Sequence, residues 1–205
     1  MKTIQPLLVA AILFVCLTAA NAQSNFGEFK WGLKAGVNFA NINNLEDIEE
    51  KDVLVGFTGG AFAKIPITHY LSLRPELLFS MKGSSFTSVI DPPGLLKTQY
   101  NLNYIEVPLS LDFDLPFFID LHAGLQGSYL VGNKVKLNDI STSLDDDFFN
   151  NVEYGFHIGG GIDLGNIGIH ARFQQSLSSF INSDSDLADP RNWGVSLTAS
   201  YMFVN

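Results

Sequence analysis

The chain has a single cysteine in 205 residues, and that one, Cys16, lies inside an N-terminal apolar run. A disulfide has no second thiol to form with, so stapling of a small secreted domain is excluded. Charge is scarce as well. Asp, Glu, Lys and Arg make up 16% of the chain, against the roughly 25% usual for soluble globular proteins, which leaves little to cover a water-facing surface. Beyond the N-terminal segment there is no apolar run near the roughly 20 residues that a transmembrane helix needs. There is also no sustained 3.6-residue period. With helices excluded on both counts, backbone pairing between strands has to carry the fold.

The first residues, "MKTIQPLLVAAILFVCLTAANAQ", combine Lys2, an apolar core from Leu7 to Leu17 and the small-x-small ending Ala20-Asn21-Ala22. This pattern predicts a secretory signal peptide over 1–22, cleaved before Gln23, followed by one domain over 23–205. The core is too short to anchor the chain in a bilayer. Phe14 and Val15 stand before Cys16 where a lipoprotein signal wants small residues, so lipidation is not expected. Removal of the leader leaves 183 residues with no cysteine, and hence no thiol catalysis. The 11 basic side chains then stand against 21 acidic ones, a formal charge of −10, which makes nucleic acid a poor partner.

What the chain has in abundance is alternation. From Trp193 to Phe203 the odd positions are Trp193, Val195, Leu197, Ala199, Tyr201 and Phe203, and the even ones are mostly Gly, Ser and Thr. The same period of two recurs in "FKWGLKAGVNFA", "VLVGFTGGAFAKI", "YLSLRPELLFSM", "NYIEVPLSLDFDL", "FIDLHAGLQGSYLV", "VEYGFHIGGGIDL" and "IGIHARFQQS". Successive side chains of a strand point to opposite faces, so these segments predict eight two-faced strands of about nine to thirteen residues. Tyr100, Leu102 and Tyr104 are apolar in one phase and Ile105 begins the other, which predicts a β-bulge there. Connections alternate between long and short, the short ones falling near Thr68-His69, Pro116-Phe117 and Gly165-Asn166.

The two faces differ in a way that identifies their solvents. One phase is almost free of charge in every strand, whereas the other collects Lys34, Lys64, Arg74, Glu76, Glu106, Asp112, Asp114 and Arg172 with three histidines. A soluble barrel would place the apolar face inside and the charges outside, and this charged set would then have to be the surface of a chain otherwise short of charge. Outer-membrane barrels instead have an even number of antiparallel strands, short periplasmic turns, long outer loops, an apolar exterior and a polar interior. The expectation is an all-β, eight-stranded antiparallel transmembrane up-and-down barrel in the bacterial outer membrane, in contact with its lipid. Trp31, Tyr70, Tyr104, Tyr129, Trp193 and Tyr201 stand near strand ends as candidates for interfacial girdles, although Tyr70 and Tyr104 fall in the inward phase.

"FKWGLKAGVNFANI", "LSLRPELLFSMKG" and "YIEVPLSL" together resemble the PorT-like outer-membrane β-barrel family, over nearly the whole of the chain after the leader. The resemblance implies an outer-membrane barrel and, for the member that gives the family its name, an association with protein secretion across that membrane. It implies no catalytic motif and no cofactor.

The candidate site is the lumen charge cluster Lys34, Arg74, Glu76, Glu106, Asp112 and Arg172. An eight-stranded interior is just wide enough to be filled by side chains, so these are expected to plug the lumen as mutually paired charges, since unpaired ones are expensive to bury. A narrow conduit is the alternative. His122, His157 and His170 share the inward phase of successive strands. They are read as polar filler rather than as metal ligands or a general base, because three histidines converge only if the strand stagger matches. Barrel enzymes that deacylate lipid use a His and a Ser on the membrane face, whereas His170 and Ser176 share the inward phase. No catalysis and no metal are therefore expected. The long connections are acidic, with Glu46, Asp47, Glu49, Glu50 and Asp52, then Asp145, Asp146 and Asp147, then Asp184, Asp186 and Asp189. "NSDSD" opens like a calcium loop but lacks the later glycine and closing glutamate. A structural or interaction role follows, with envelope or secretion proteins as partners, and a narrow pore or secretion accessory as the alternative.

Overall fold

Alternating apolar and polar residues can hide neither face of a flat sheet from both lipid and water, and the chain resolves this by closing. A computed structural model describes residues 27–43, 51–90, 94–137, 140–142, 151–179 and 191–203. Among these are nine strands and no helix: β1 (Lys30–Asn43), β2 (Lys51–Pro66), β3 (Leu71–Ile90), β4 (Gly94–Asp114), β5 (Ile119–Leu137), β6 (Ile140–Thr142), β7 (Val152–Leu164), β8 (Ile167–Ser176) and β9 (Arg191–Phe203). Neighbours pair antiparallel in the order β1-β2-β3-β4-β5-β7-β8-β9, and β9 returns to β1 with Trp31 opposite Phe203 and Asn43 opposite Arg191. Eight strands thus form a closed barrel with no free edge in the bilayer, as lipid requires. The three-residue β6 is an addition that pairs only with the far end of β5.

Outward positions are apolar and exposed, among them Leu33, Val37, Val55, Phe57, Leu109, Leu111, Leu121, Leu125, Ile169 and Leu197. At the short-turn end, the Trp31 and Phe203 rings lie 4.4 Å apart and Tyr201 meets Phe203 edge-on at 5.2 Å. At the other end, Trp193 lies 6.3 Å from Phe173. Trp193 is opposite Asn41 and Trp31 opposite Phe203, so ten residues of β1 separate the two aromatic levels. At about 3.3 Å per residue and a tilt of about 40° this is about 25 Å, the height of the apolar band of outer-membrane barrels. Tyr104 does not join either girdle: it is fully buried in the lumen, while Tyr70 is exposed in the turn 67–70.

The predicted bulge exists but belongs to the other strand. Asn103 pairs with Gly132 and Tyr104 with Leu130, so Val131 of β5 is the extra residue. Leu102, Tyr104, Glu106, Ser110 and Asp112 all remain inward on β4, and it is β5 that changes phase, from Leu130 inward to Asn133 inward. The apparent shift in the sequence reflects Leu102 and Tyr104, an apolar and an aromatic side chain that β4 turns into the upper lumen beside its charged groups. A second difference concerns length. The segment "GSSFTSVIDPPGLLKT" reads in the sequence as one of the long connections, yet β3 and β4 pair from Leu71 opposite Phe113 to Ile90 opposite Gly94. Pairing carries on because each added rung satisfies backbone donors and acceptors. From Ile105 to Gly94, β4 adds roughly 36 Å of strand on one side of the rim.

The short connections are tight. Phe117 and Phe118 close the β4–β5 hairpin with φ values of 65° and 64°, the left-handed geometry of a two-residue hairpin turn normally given to Asn and Gly. The predicted leader and the acidic residues at 44–50, 143–150 and 180–190, with the "NSDSD" segment of Asn182, Asp184 and Asp186, lie outside the described residues.

Candidate functional site

The interior is built by even-numbered positions of β1–β4, β8 and β9, together with the lower part of β5 and odd-numbered positions of β7, all turned inward by the pleat. Five cations, Lys34, Lys64, Arg74, Lys82 and Arg172, are buried there with five carboxylates, Glu76, Glu106, Asp112, Asp120 and Glu153. The set balances without counting the histidines, which is what a low-dielectric lumen demands.

The central layer is organised by Glu76 on β3. Its carboxylate accepts from the Lys34 ammonium on β1 at 3.0 and 2.8 Å and, as a two-pronged pair, from the Arg172 guanidinium on β8 at 2.9 and 2.7 Å. Arg172 Nε also donates to His122 Nε2 at 3.4 Å. Planar guanidinium and carboxylate match in such a fork, which fixes orientation as well as charge. Three strands are tied across the barrel axis by one carboxylate.

Toward the short turns, Arg74 forms an ion pair with Asp112 at 2.7 Å and stacks its guanidinium over Phe62 at 5.5 Å. Lys64 joins Asp114 at 2.6 Å with Asp112 and Asp163 at 3.9 and 3.8 Å. Asp120 meets His122 Nδ1 at 3.1 Å and His170 Nε2 at 3.0 Å, and Asp163 meets the same His170 nitrogen at 3.2 Å. Lys64, Asp114, Asp120 and Asp163 border a cavity of about 410 Å³ at the short-turn mouth, lined also by Lys30, Ser72 and Phe118.

Toward the long loops, Glu153 accepts from Tyr104, from Ser176 at 2.8 Å and from Asn192 at 3.0 and 3.2 Å. Lys82 pairs with Glu106 and lies 5.3 Å from the Tyr104 ring centre. The gap between Lys82, Gln126, Gln174, Ser176 and Asn192 has no room for a water molecule.

Of the six residues singled out in the sequence, Lys34, Glu76 and Arg172 therefore meet in one layer, Arg74 and Asp112 in a second, and Glu106 stands apart in a third. Lys82, Asp120 and Glu153 complete these layers and were not in that set. Lys82 carries the inward parity of β3 and stands one residue past the alternating segment "YLSLRPELLFSM", which ends at Met81. The histidines do converge, with the His122 ring 6.3 Å from His157 and 6.1 Å from His170; His122 and His170 share Asp120, whereas His157 turns to a serine. His157 Nε2 is 2.7 Å from Ser110 Oγ, with both residues buried. This Ser-His pair is shut inside the barrel, away from both solvents. Ser176 bonds Glu153 in the upper layer, and His170 belongs to the lower one, so the two do not form a pair.

Comparisons agree with this architecture. The family described as outer membrane protein beta-barrel domain matches residues 21–182. Neisserial surface protein A is similar in structure at a TM-score of 0.55 and 15% identity, over 84% of this chain and 97% of that one. The attachment invasion locus protein Ail of Yersinia pestis aligns at 0.49 and 14% identity, over 86% and 100%. OprG of Pseudomonas aeruginosa aligns at 0.43 and 11% identity, over 86% and 96%. No curated protein sequence matches the chain.

Proposed function

Because the chain belongs to the outer membrane protein beta-barrel domain family and is a bacterial outer-membrane protein, we propose that it acts there as a closed, non-conducting barrel that holds an interaction surface above the membrane. In outer-membrane barrels the short turns face the periplasm and the long connections face outward, so the extended β3–β4–β5 blade is on the outer side. The observation that carries this reading is the central layer, where Lys34, Glu76 and Arg172 bind one another across the axis. A rigid, plugged barrel suits attachment to envelope or surface partners and gives no support to solute flow or to catalysis. The signal peptide at 1–22 and the barrel domain at 23–205 belong to the same proposal. Mass spectrometry of the mature protein should then find Gln23 at its N-terminus.

Planar bilayers are the test. The refolded protein should add no stable conductance steps, and regular steps that disappear on replacing lumen residues would overturn the closed reading. A second reading, a PorT-like accessory of secretion across the outer membrane, rests on the motif residues themselves. "LSLRPELLFSMKG" and "YIEVPLSL" supply Arg74, Glu76, Lys82, Glu106 and Ser110 to the lumen, so what the chain shares with that family is largely its interior. Deletion of the gene followed by comparison of the secreted proteins separates the two, since an unchanged set excludes the secretion role.

A further inference from the structure

We propose that Asp120, Asp163 and His170 form a binding site for a divalent transition-metal ion of the zinc class, loaded through the short-turn mouth of the barrel. One donor atom from each residue lies within 4.8 Å of the others. His170 Nε2 is 3.0 Å from Asp120 Oδ2 and 3.2 Å from Asp163 Oδ1. Ligands bound tetrahedrally at about 2.0–2.2 Å stand about 3.3–3.5 Å from one another, so the spacing is already close to that of a coordination shell.

The hydrogen bonding points the same way. His170 is 5% exposed and Asp120 1%. Yet His170 Nε2, Asp120 Oδ2 and Asp163 Oδ1 are all buried without a hydrogen bond of acceptable geometry. A single N–H cannot point at two carboxylates at once, whereas one ion between them satisfies all three atoms. Buried atoms left in this state are rare and call for a partner. Ser200 Oγ, also without a partner, borders the same hollow.

The surroundings are shaped for these groups. A Cβ on Gly161 would come 2.4 Å from His170 Cδ2, and one on Gly168 would come 2.3 Å from Asp163 Oδ1 and 2.5 Å from His170 Cε1. Both glycines are needed to admit the imidazole and the carboxylate. The outer oxygens are held in place as well, Asp120 Oδ1 by His122 Nδ1 at 3.1 Å and Asp163 Oδ2 by Lys64 at 3.8 Å. Such supporting contacts orient metal ligands. One imidazole and two carboxylates neutralise a divalent ion and suit zinc or its first-row neighbours, while calcium wants six to eight oxygens. The cavity reaches Asp120 and Asp163, which gives the ion an entry path and leaves a fourth position for water.

The test uses the full barrel refolded in detergent and stripped with EDTA. Titration with zinc should show one saturable site by calorimetry, and cobalt(II) should develop the visible absorption of a tetrahedral complex. Asp163→Asn and His170→Gln should each weaken binding by at least tenfold while the unboiled protein keeps its fast gel mobility. Gly168→Ala should weaken it too. Asp163 is at the mouth and partly exposed, so its variant keeps the test decisive if His170→Gln does not fold. Absence of saturable binding by the parent protein overturns the proposal, as does binding that survives both substitutions, which would assign the ion to exposed groups such as His69 or Asp114.

Discussion

Removing the Glu76 carboxylate should be among the most damaging single changes in the barrel. Its side chain is fully buried, and it accepts four charge-assisted hydrogen bonds between 2.7 and 3.0 Å from two cations. In Glu76→Ala, Lys34 and Arg172 remain buried beside each other with the neutral His122 nitrogen as the nearest other acceptor of Arg172. Breaking a buried ion pair from one side costs about 3–5 kcal/mol, a large share of the roughly 5–15 kcal/mol that holds a typical domain together. Glu76→Gln keeps the volume and should cost a similar amount, since an amide offers two N–H groups to two cations. The combined replacement Glu76→Leu, Lys34→Met and Arg172→Leu removes every charge of the layer and should return stability to within about 1 kcal/mol of the parent or above it. Urea unfolding of the protein refolded in micelles, followed by circular dichroism and by gel mobility, reads both quantities from midpoint and slope. A loss below about 1 kcal/mol for Glu76→Ala, the value of a solvent-exposed pair, would refute the argument. It would mean that water reaches this layer, and the conduit reading would gain ground.

Other outcomes follow from the same geometry. Leu197→Arg, at the middle of β9 and opposite Val37 on the lipid face, should cost about 2–4 kcal/mol in bilayers, whereas Tyr201→Arg near the interface should cost at most about 1 kcal/mol; equal costs would shift the membrane relative to the two aromatic levels. Tyr104→Phe removes the hydroxyl that Glu153 accepts from and should lose about 1–3 kcal/mol in the same urea titration, with no change if the upper layer is hydrated. Gly124→Val places a Cβ 2.0 Å from the Leu109 carbonyl oxygen and 2.7 Å from Ser110 Cα. The β4–β5 seam would have to part, lowering the fraction that refolds to the fast-migrating form and costing about 1–3 kcal/mol or more.

Architecture was legible in the sequence because the pleat has a period of two and the two solvents differ so sharply in what they tolerate. The exposed Leu197 and the buried Thr198 follow from parity alone. What parity does not supply is stagger. Glu76 finds Arg172 across 96 positions of sequence and Lys34 across 42, distances set by turn lengths and by bulges such as Val131. The single bulge on β5 moved the break expected on β4, because Leu102 and Tyr104 are apolar side chains in a polar phase. Likewise the three histidines were visible as a row, but the grouping of His170 with Asp120 and Asp163 depends on the register of β5, β7 and β8.

The distance in sequence between Glu76 and Arg172 bears on how the barrel can be assembled. Strands β1 to β3 bring a carboxylate and one ammonium into the interior, but the guanidinium that completes the layer arrives only with the penultimate strand. A chain halted after β7 would hold its half-filled centre open to whatever water or lipid entered it. Each later strand thus closes the wall and discharges the interior together, so incomplete intermediates have little to settle into. Insertion of this protein should consequently behave as a single event, and a version truncated before β8 should be a substrate for periplasmic proteolysis rather than a smaller barrel.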